Sequence, residues 1–233
     1  MKVIETNIAN VWNRIDTWMN SGDKLVSSEK SVVFNFAWEF QKEFQNDISF
    51  IDFETSLFQN FSDGQFIDLY IEFRHANKEI KIGIEFKYPN KKQNNSNHTE
   101  TRQKIINDIK RLNWLVANDK IDIGCFLCLT NENNYVNNGR FKVATNFLTH
   151  HEMSYQTGDF LPENEKYIEK VKSLTDINFH WKYVQLKKDK HVITDGKYAF
   201  LKPIFITKDQ IENTSTYAQH GIAKSGADSV LLG

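Results

Sequence analysis

The chain has 233 residues, of which 40% are hydrophobic and 25% charged, with a net charge of −1 at neutral pH and a pI near 6.7. That length suits one sizeable core, and the near-neutral balance neither requires nor excludes a polyanionic partner, since a basic surface can coexist with an acidic site. The first residues carry no apolar run of signal-peptide length and no stretch is long enough to span a bilayer, so a soluble, cytoplasmic protein without a membrane partner is expected.

Ile4, Ile8, Val11, Ile15 and Trp18 recur at helical spacing and predict a first amphipathic helix over 4–19, broken at Ser21-Gly22-Asp23. A second helix begins near Ser27-Ser28, both good caps, with Val33, Phe36, Ala37, Phe40 and Phe44 on one face. Residues 47–54 read as a strand and 61–64 as a turn. Two alternating runs, 66–74 and 79–88, form the clearest hairpin signal in the chain. After a polar loop over 89–97, a third helix is expected over 99–118, with Ile105, Ile109, Leu112 and Val116 inward. The apolar run 121–130 reads as a buried central strand. Its Cys125 and Cys128, three residues apart, should face opposite sides of the sheet and behave as ordinary buried cysteines. Further on, a helix over 142–153, strands over 180–187 and 198–207, a turn at Asp195-Gly196 and a small-residue tail from 215 are expected. With 18 Phe in the chain, the core should be rich in aromatic packing.

Alternation in the hairpin can be followed residue by residue. Closing it with a loop at 75–78 pairs Arg74 with Glu79, then Phe73 with Ile80, Ile71 with Ile82, Leu69 with Ile84 and Ile67 with Phe86. Those apolar pairs share a face, and a one-residue slip would scatter them across both. On the other face the same register sets Asp68 directly opposite Glu85, with Cβ atoms roughly 5 Å apart. Like charges so placed repel and call for a cation between them. A hard divalent ion such as Mg²⁺ or Mn²⁺, which prefers oxygen ligands, meets that need. The Phe86 carbonyl offers a further oxygen, Lys87 lies one step along the same face, and Gly83 is expected to open space beside the acids. Such a set suits phosphodiester hydrolysis, in which a metal activates water and a lysine offsets charge gathering on phosphate.

Glu29 continues the apolar stripe of the second helix backward, where a carboxylate is costly unless paired or in use. A first-turn acid favoured by the helix dipole accounts for it equally well. Glu39 is the rival auxiliary acid, but with Glu43 it reads as a solvated face.

These residues resemble the PD-(D/E)xK, or restriction-endonuclease-like, nuclease superfamily. The resemblance covers about 27–130: a helix with an early Glu29, Asp68 in Phe66-Ile67-Asp68-Leu69-Tyr70, then Glu85-Phe86-Lys87, a helix containing Asp108-Ile109-Lys110-Arg111-Leu112, and the strand at 121–130. Ile67 stands where the family's motif has proline. The resemblance implies an α/β (α+β) fold with a restriction-endonuclease-like core, a central mixed β-sheet flanked by helices. It implies catalytic roles for Asp68, Glu85, Lys87 and Glu29, a metal (Mg²⁺, with Mn²⁺ substituting) on Asp68, Glu85 and the Phe86 carbonyl, and DNA as partner.

The whole chain, 1–233, is expected to form a single domain, with a nuclease core at 27–130 and a C-terminal β-containing extension at 131–233 that takes part in substrate recognition. Lys91, Lys92, Arg102 and Lys104 are candidate nucleic-acid contacts, as is the cluster at 187–191, although a solvated loop is the plainer account of each. Adjacent His150 and His151 would point apart on a helix and are discounted as metal ligands. The resulting expectation is a Mg²⁺-dependent DNA endonuclease of restriction, defence or repair type, with a homodimer left open. The alternative is a nuclease fold without catalysis, acting as a binding module.

Overall fold

A computed structural model of the chain describes residues 1–21, 23–24, 26–57, 66–90, 98–137, 147–162, 171–185 and 197–208. Helical periodicity yields α1 (Lys2–Ser21) and α2 (Glu29–Phe44), which pack on each other and on one face of the sheet. Helix α2 begins where Ser28, in extended conformation, accepts a hydrogen bond from the Ser31 N–H at 3.2 Å. A cap of this kind stabilises a helix by about 1 kcal/mol.

The alternating runs become β1 (Ile48–Thr55), β2 (Ile67–His75) and β3 (Lys78–Lys87). Helix α3 (His98–Ala117) then crosses to β4 (Ile123–Thr130), which runs parallel to β3. All eight residues of β4 are buried, as a central strand covered on both faces requires. A short α4 (Asn133–Val136) and the pair β5 (Ser154–Tyr155) and β6 (Ile177–Asn178) follow. Strands β7 (Trp181–Gln185), β8 (Lys197–Leu201) and β9 (Ile204–Thr207) then return to the main sheet. Its order is β1-β2-β3-β4-β8-β7, with β9 also on β4, and every pairing except β3 with β4 is antiparallel. The fold is therefore mixed α/β, with a central mixed sheet flanked by helices.

Two cores lie on the two faces of this sheet. On one, Leu69, Ile71, Phe73, Ile82, Ile84 and Phe86 pack under α1 and α2; on the other, Tyr70, Phe126, Cys128 and Ile206 pack under α3. Aromatic packing dominates the first: Phe86 meets Phe36 with ring centroids 5.4 Å apart, and Phe40 meets Phe73 at 6.0 Å. Cys125 belongs to one core and Cys128 to the other, and both are free and buried. Among the described residues, no helix is long and apolar enough to cross a membrane.

The hairpin keeps the expected register from Arg74–Glu79 to Leu69–Ile84, but its turn is tighter than expected. His75 pairs with Lys78, leaving only Ala76 and Asn77 in the turn, with φ of 50° and 61°. Two successive left-handed residues match the twist of the flanking strands. The expected strand at 198–207 is divided at Lys202-Pro203, between β8 and β9, and proline has no N–H to donate to a ladder. Residues 147–153 are not helical; 142–146 of that expected helix lie outside the described residues. So do the turn at 61–64, loop residues 91–97, the cluster at 187–191, the Asp195-Gly196 turn and the tail from 215.

Gly83 does not open space, contrary to the expectation. A Cβ there would lie 2.9 Å from Ile121 Cδ1 and 3.2 Å from Ile67 Cδ1, so the position is already filled. Its partner on β4, Gly124, lies against α3, where a Cβ would come 3.1 Å from Leu112 Cβ. Leu112 Cβ is fixed to the helix backbone and cannot swing aside. We therefore expect Gly124→Ala to strain the packing of α3 on the sheet and lower stability by about 1–3 kcal/mol, as overpacked cores do. Urea unfolding monitored by circular dichroism measures this.

Candidate functional site

Phe86 sets the direction of its neighbours. Its ring is fully buried against Trp12 and Phe36, so the alternation of β3 turns Glu85 and Lys87 toward the opposite face, where α3 lies. The β2–β3 ladder ends at Leu69–Ile84, one step before the expected apposition of Asp68 and Glu85. Beyond it β2 still follows β1, with Ile67 opposite Thr55, but leaves β3. Ile67 joins the core under α3 while Phe86 stays in the core under α1 and α2, so these two residues do not form the expected pair. In place of a backbone carbonyl, the Asp68 carboxylate accepts the Phe86 N–H, Oδ2 to N at 2.7 Å.

Four further side chains complete the cluster. Glu29 is the first residue of α2 and accepts the Tyr88 N–H at 3.0 Å. Lys87 Nζ lies 3.5 Å from Glu29 Oε1 and donates to its neighbour's Phe86 carbonyl at 3.1 Å. It also lies 2.9 Å from Asp108 Oδ2, an ion pair without hydrogen-bond alignment. Arg111, also on α3, bonds Glu85 Oε1 through Nε at 3.1 Å and Nη2 at 2.7 Å, and its Nη2 lies 2.6 Å from Asp108 Oδ1. Four carboxylates thus face two cations. Lys87 bridges the layers, forming ion pairs with Glu29 from α2 and Asp108 from α3.

Electrostatics follow from this enclosure. Burial pushes the Glu85 carboxyl well above the usual carboxylate range, Asp108 adds to the rise, and Arg111 only partly offsets it. Burial likewise raises Glu29, against Lys87 and the Tyr88 N–H. For Lys87, burial works against the charged form, but Asp108, Glu29 and Asp68 outweigh it and hold the ammonium above its ordinary range. Lys87 is accordingly a fixed cation here.

Asp68, Glu85, Lys87 and Glu29, all expected from the sequence as site residues, come together here. Asp108 and Arg111 join them without having been expected to, although the sequence carries a signal for Asp108. Asp108 lies three residues after inward-facing Ile105, so it is a charge on a core stripe, the same feature that singled out Glu29. Glu39 is not on a solvated face: it is buried and paired with Arg14 of α1 at 3.3 Å. Among the candidate nucleic-acid contacts, Lys91 and Lys92 lie outside the described residues. Arg102 is buried, its guanidinium donating to the Asn134 carbonyl and lying 5.7 Å from the centre of the Tyr135 ring. Lys104 pairs with Glu100 on the same helix at 2.9 Å. His151 Nδ1 accepts the Trp181 N–H at 3.0 Å, a structural bond.

Every donor that this cluster could give a metal is an oxygen, which suits a hard divalent cation. Glu85 Oε2 is buried and has no hydrogen-bond partner, so one oxygen of a fully buried carboxylate is left unsatisfied. Among the described residues, no three His, Cys, Asp or Glu side chains gather as a ready metal-ligand group. Each carboxylate of the cluster is instead engaged by a backbone N–H or by one of the two cations. Comparison with protein-family models, with curated proteins and with solved structures finds no match to this chain.

Proposed function

We propose that the chain is a metal-dependent DNA endonuclease of the PD-(D/E)xK type, with a restriction-endonuclease-like core. The observation that carries this reading is the buried Glu85 with an unpartnered Oε2, set beside Asp68 and next to a lysine held as a cation by three oxygens. Asp68, Glu85 and the Phe86 carbonyl would hold the metal. A divalent ion there supplies Lewis acidity toward a phosphate oxygen and a water acidic enough to attack at neutral pH.

The chain's own residues do the rest. Lys87 stabilises negative charge on the phosphate in the transition state, and Asp108 and Glu29 fix where its ammonium points. An ammonium has three protons to donate, and three oxygens now surround it. Contact with substrate would compete with these partners, and Glu29, the longest at 3.5 Å, is the easiest to replace. A cavity of about 310 Å³ opens beside two of the carboxylates, lined by Glu29, Val33, Phe34, Phe53 and Asp68 among others. Phe34 is exposed and stacks on exposed Trp38 with centroids 6.3 Å apart, a surface on which unpaired bases could lie.

The test is incubation of the purified chain with plasmid DNA. Cleavage is expected with Mg²⁺ or Mn²⁺ and none with a chelator. A second reading, a binding module without catalysis, draws on one observation: Arg111 occupies the other oxygen of Glu85. Calorimetry separates the two, because absence of Mn²⁺ binding at millimolar concentration favours the second.

A further inference from the structure

Arg111 joins two carboxylates of different origin. Asp108 sits three residues earlier on the same helix, so that contact travels with α3; Glu85 sits on β3, so the other contact crosses from helix to strand. Both bonds to Glu85 end on Oε1, whereas Oε2 of the same buried carboxylate has no hydrogen-bond partner. A buried carboxylate satisfied at one oxygen and bare at the other calls for an explanation. The Arg111 side chain keeps 19% of its surface exposed, against 1% for Glu85, so the guanidinium has a route outward that the carboxylate lacks.

We propose that Arg111 is a built-in counter-ion, neutralising Glu85 while the centre is metal-free and releasing it when a divalent cation binds, with Asp108 keeping the guanidinium anchored throughout. This rests on the reading of Glu85 as a metal ligand. Four carboxylates packed around one lysine would repel strongly, and a second cation is needed to hold them together before any metal arrives. A guanidinium and a divalent ion cannot share one carboxylate without mutual repulsion, so they compete for Glu85. Competition lowers the apparent metal affinity by the fraction of molecules in which Arg111 has already let go. The Asp108 contact makes release local, since the side chain can leave the strand without α3 moving.

The test is titration of the full chain with Mn²⁺ by calorimetry, in the wild type and in Arg111→Met, with thermal melting of both. If one molecule in ten is released at rest, Arg111→Met binds Mn²⁺ about tenfold more tightly. The variant also melts lower without metal, and Mn²⁺ raises its midpoint more than that of the wild type. Equal or weaker Mn²⁺ binding by a folded Arg111→Met overturns the counter-ion role and leaves the metal reading standing. Absence of binding by both proteins overturns both. Should Arg111→Met fail to fold without metal, Arg111→Gln, which keeps a hydrogen-bonding group and drops the charge, must show the same tightening; wild-type affinity there overturns the proposal.

Discussion

Lys87→Ala is expected to lose DNA cleavage by a factor on the order of 10³, about 4 kcal/mol of transition-state stabilisation, the scale seen when a preorganised donor to a developing charge is removed. The substitution also withdraws the ammonium shared by Asp108 and Glu29, so the melting midpoint should fall. Lys87→Arg separates these effects. A guanidinium keeps the charge but spreads it over a planar fork longer than the ammonium, so stability should return toward the wild type while the rate stays low. Cleavage assays on plasmid DNA, read beside melts of the same preparations, decide the matter. Full activity in Lys87→Ala would sink the assignment.

Asp68→Asn is the second large effect, and its value lies in what it preserves. Asp68 accepts the Phe86 N–H at 2.7 Å where the strand ladder has stopped, so it holds the backbone between Glu85 and Lys87. Alanine would remove that bond together with the charge and confuse folding with function. Asparagine retains a carbonyl oxygen for the same N–H and loses only the anion. We expect Asn at this position to melt within about 1 kcal/mol of the wild type. Mn²⁺ binding should weaken by tenfold or more, and cleavage should be lost. Unchanged Mn²⁺ affinity in calorimetry would remove Asp68 from the proposed metal ligands.

Long amphipathic segments were readable because their periodicity is redundant. α1, α2, α3 and the hairpin each repeat an apolar position four times or more, and the observed cores use those positions. The acids on β2 and β3 and the lysine beside them were readable for a related reason, as charges within strongly alternating strands. What escaped depends on departures from regularity. Parting of β2 from β3 puts Ile67 in the core under α3, and nothing in the alternation announces where a ladder stops. Gly83 suggested open space, yet Ile121, distant in sequence, fills it. Asp108 and Arg111 escaped for a different reason: a helix rich in charge hides which of its charged residues face inward.

The charge cluster lies where the layers meet. Glu29 comes from the helices on one face of the sheet, Asp108 and Arg111 from the helix on the other, and Lys87 reaches both from the strand between them. A chain with α3 docked but not α2 lacks the Glu29 contact, and one with α2 docked but not α3 lacks the contacts from Lys87 to Asp108 and from Arg111 to Glu85. The complete centre therefore exists only when both helical layers are docked, and a chain in which either layer has opened carries an incomplete set of its ion pairs.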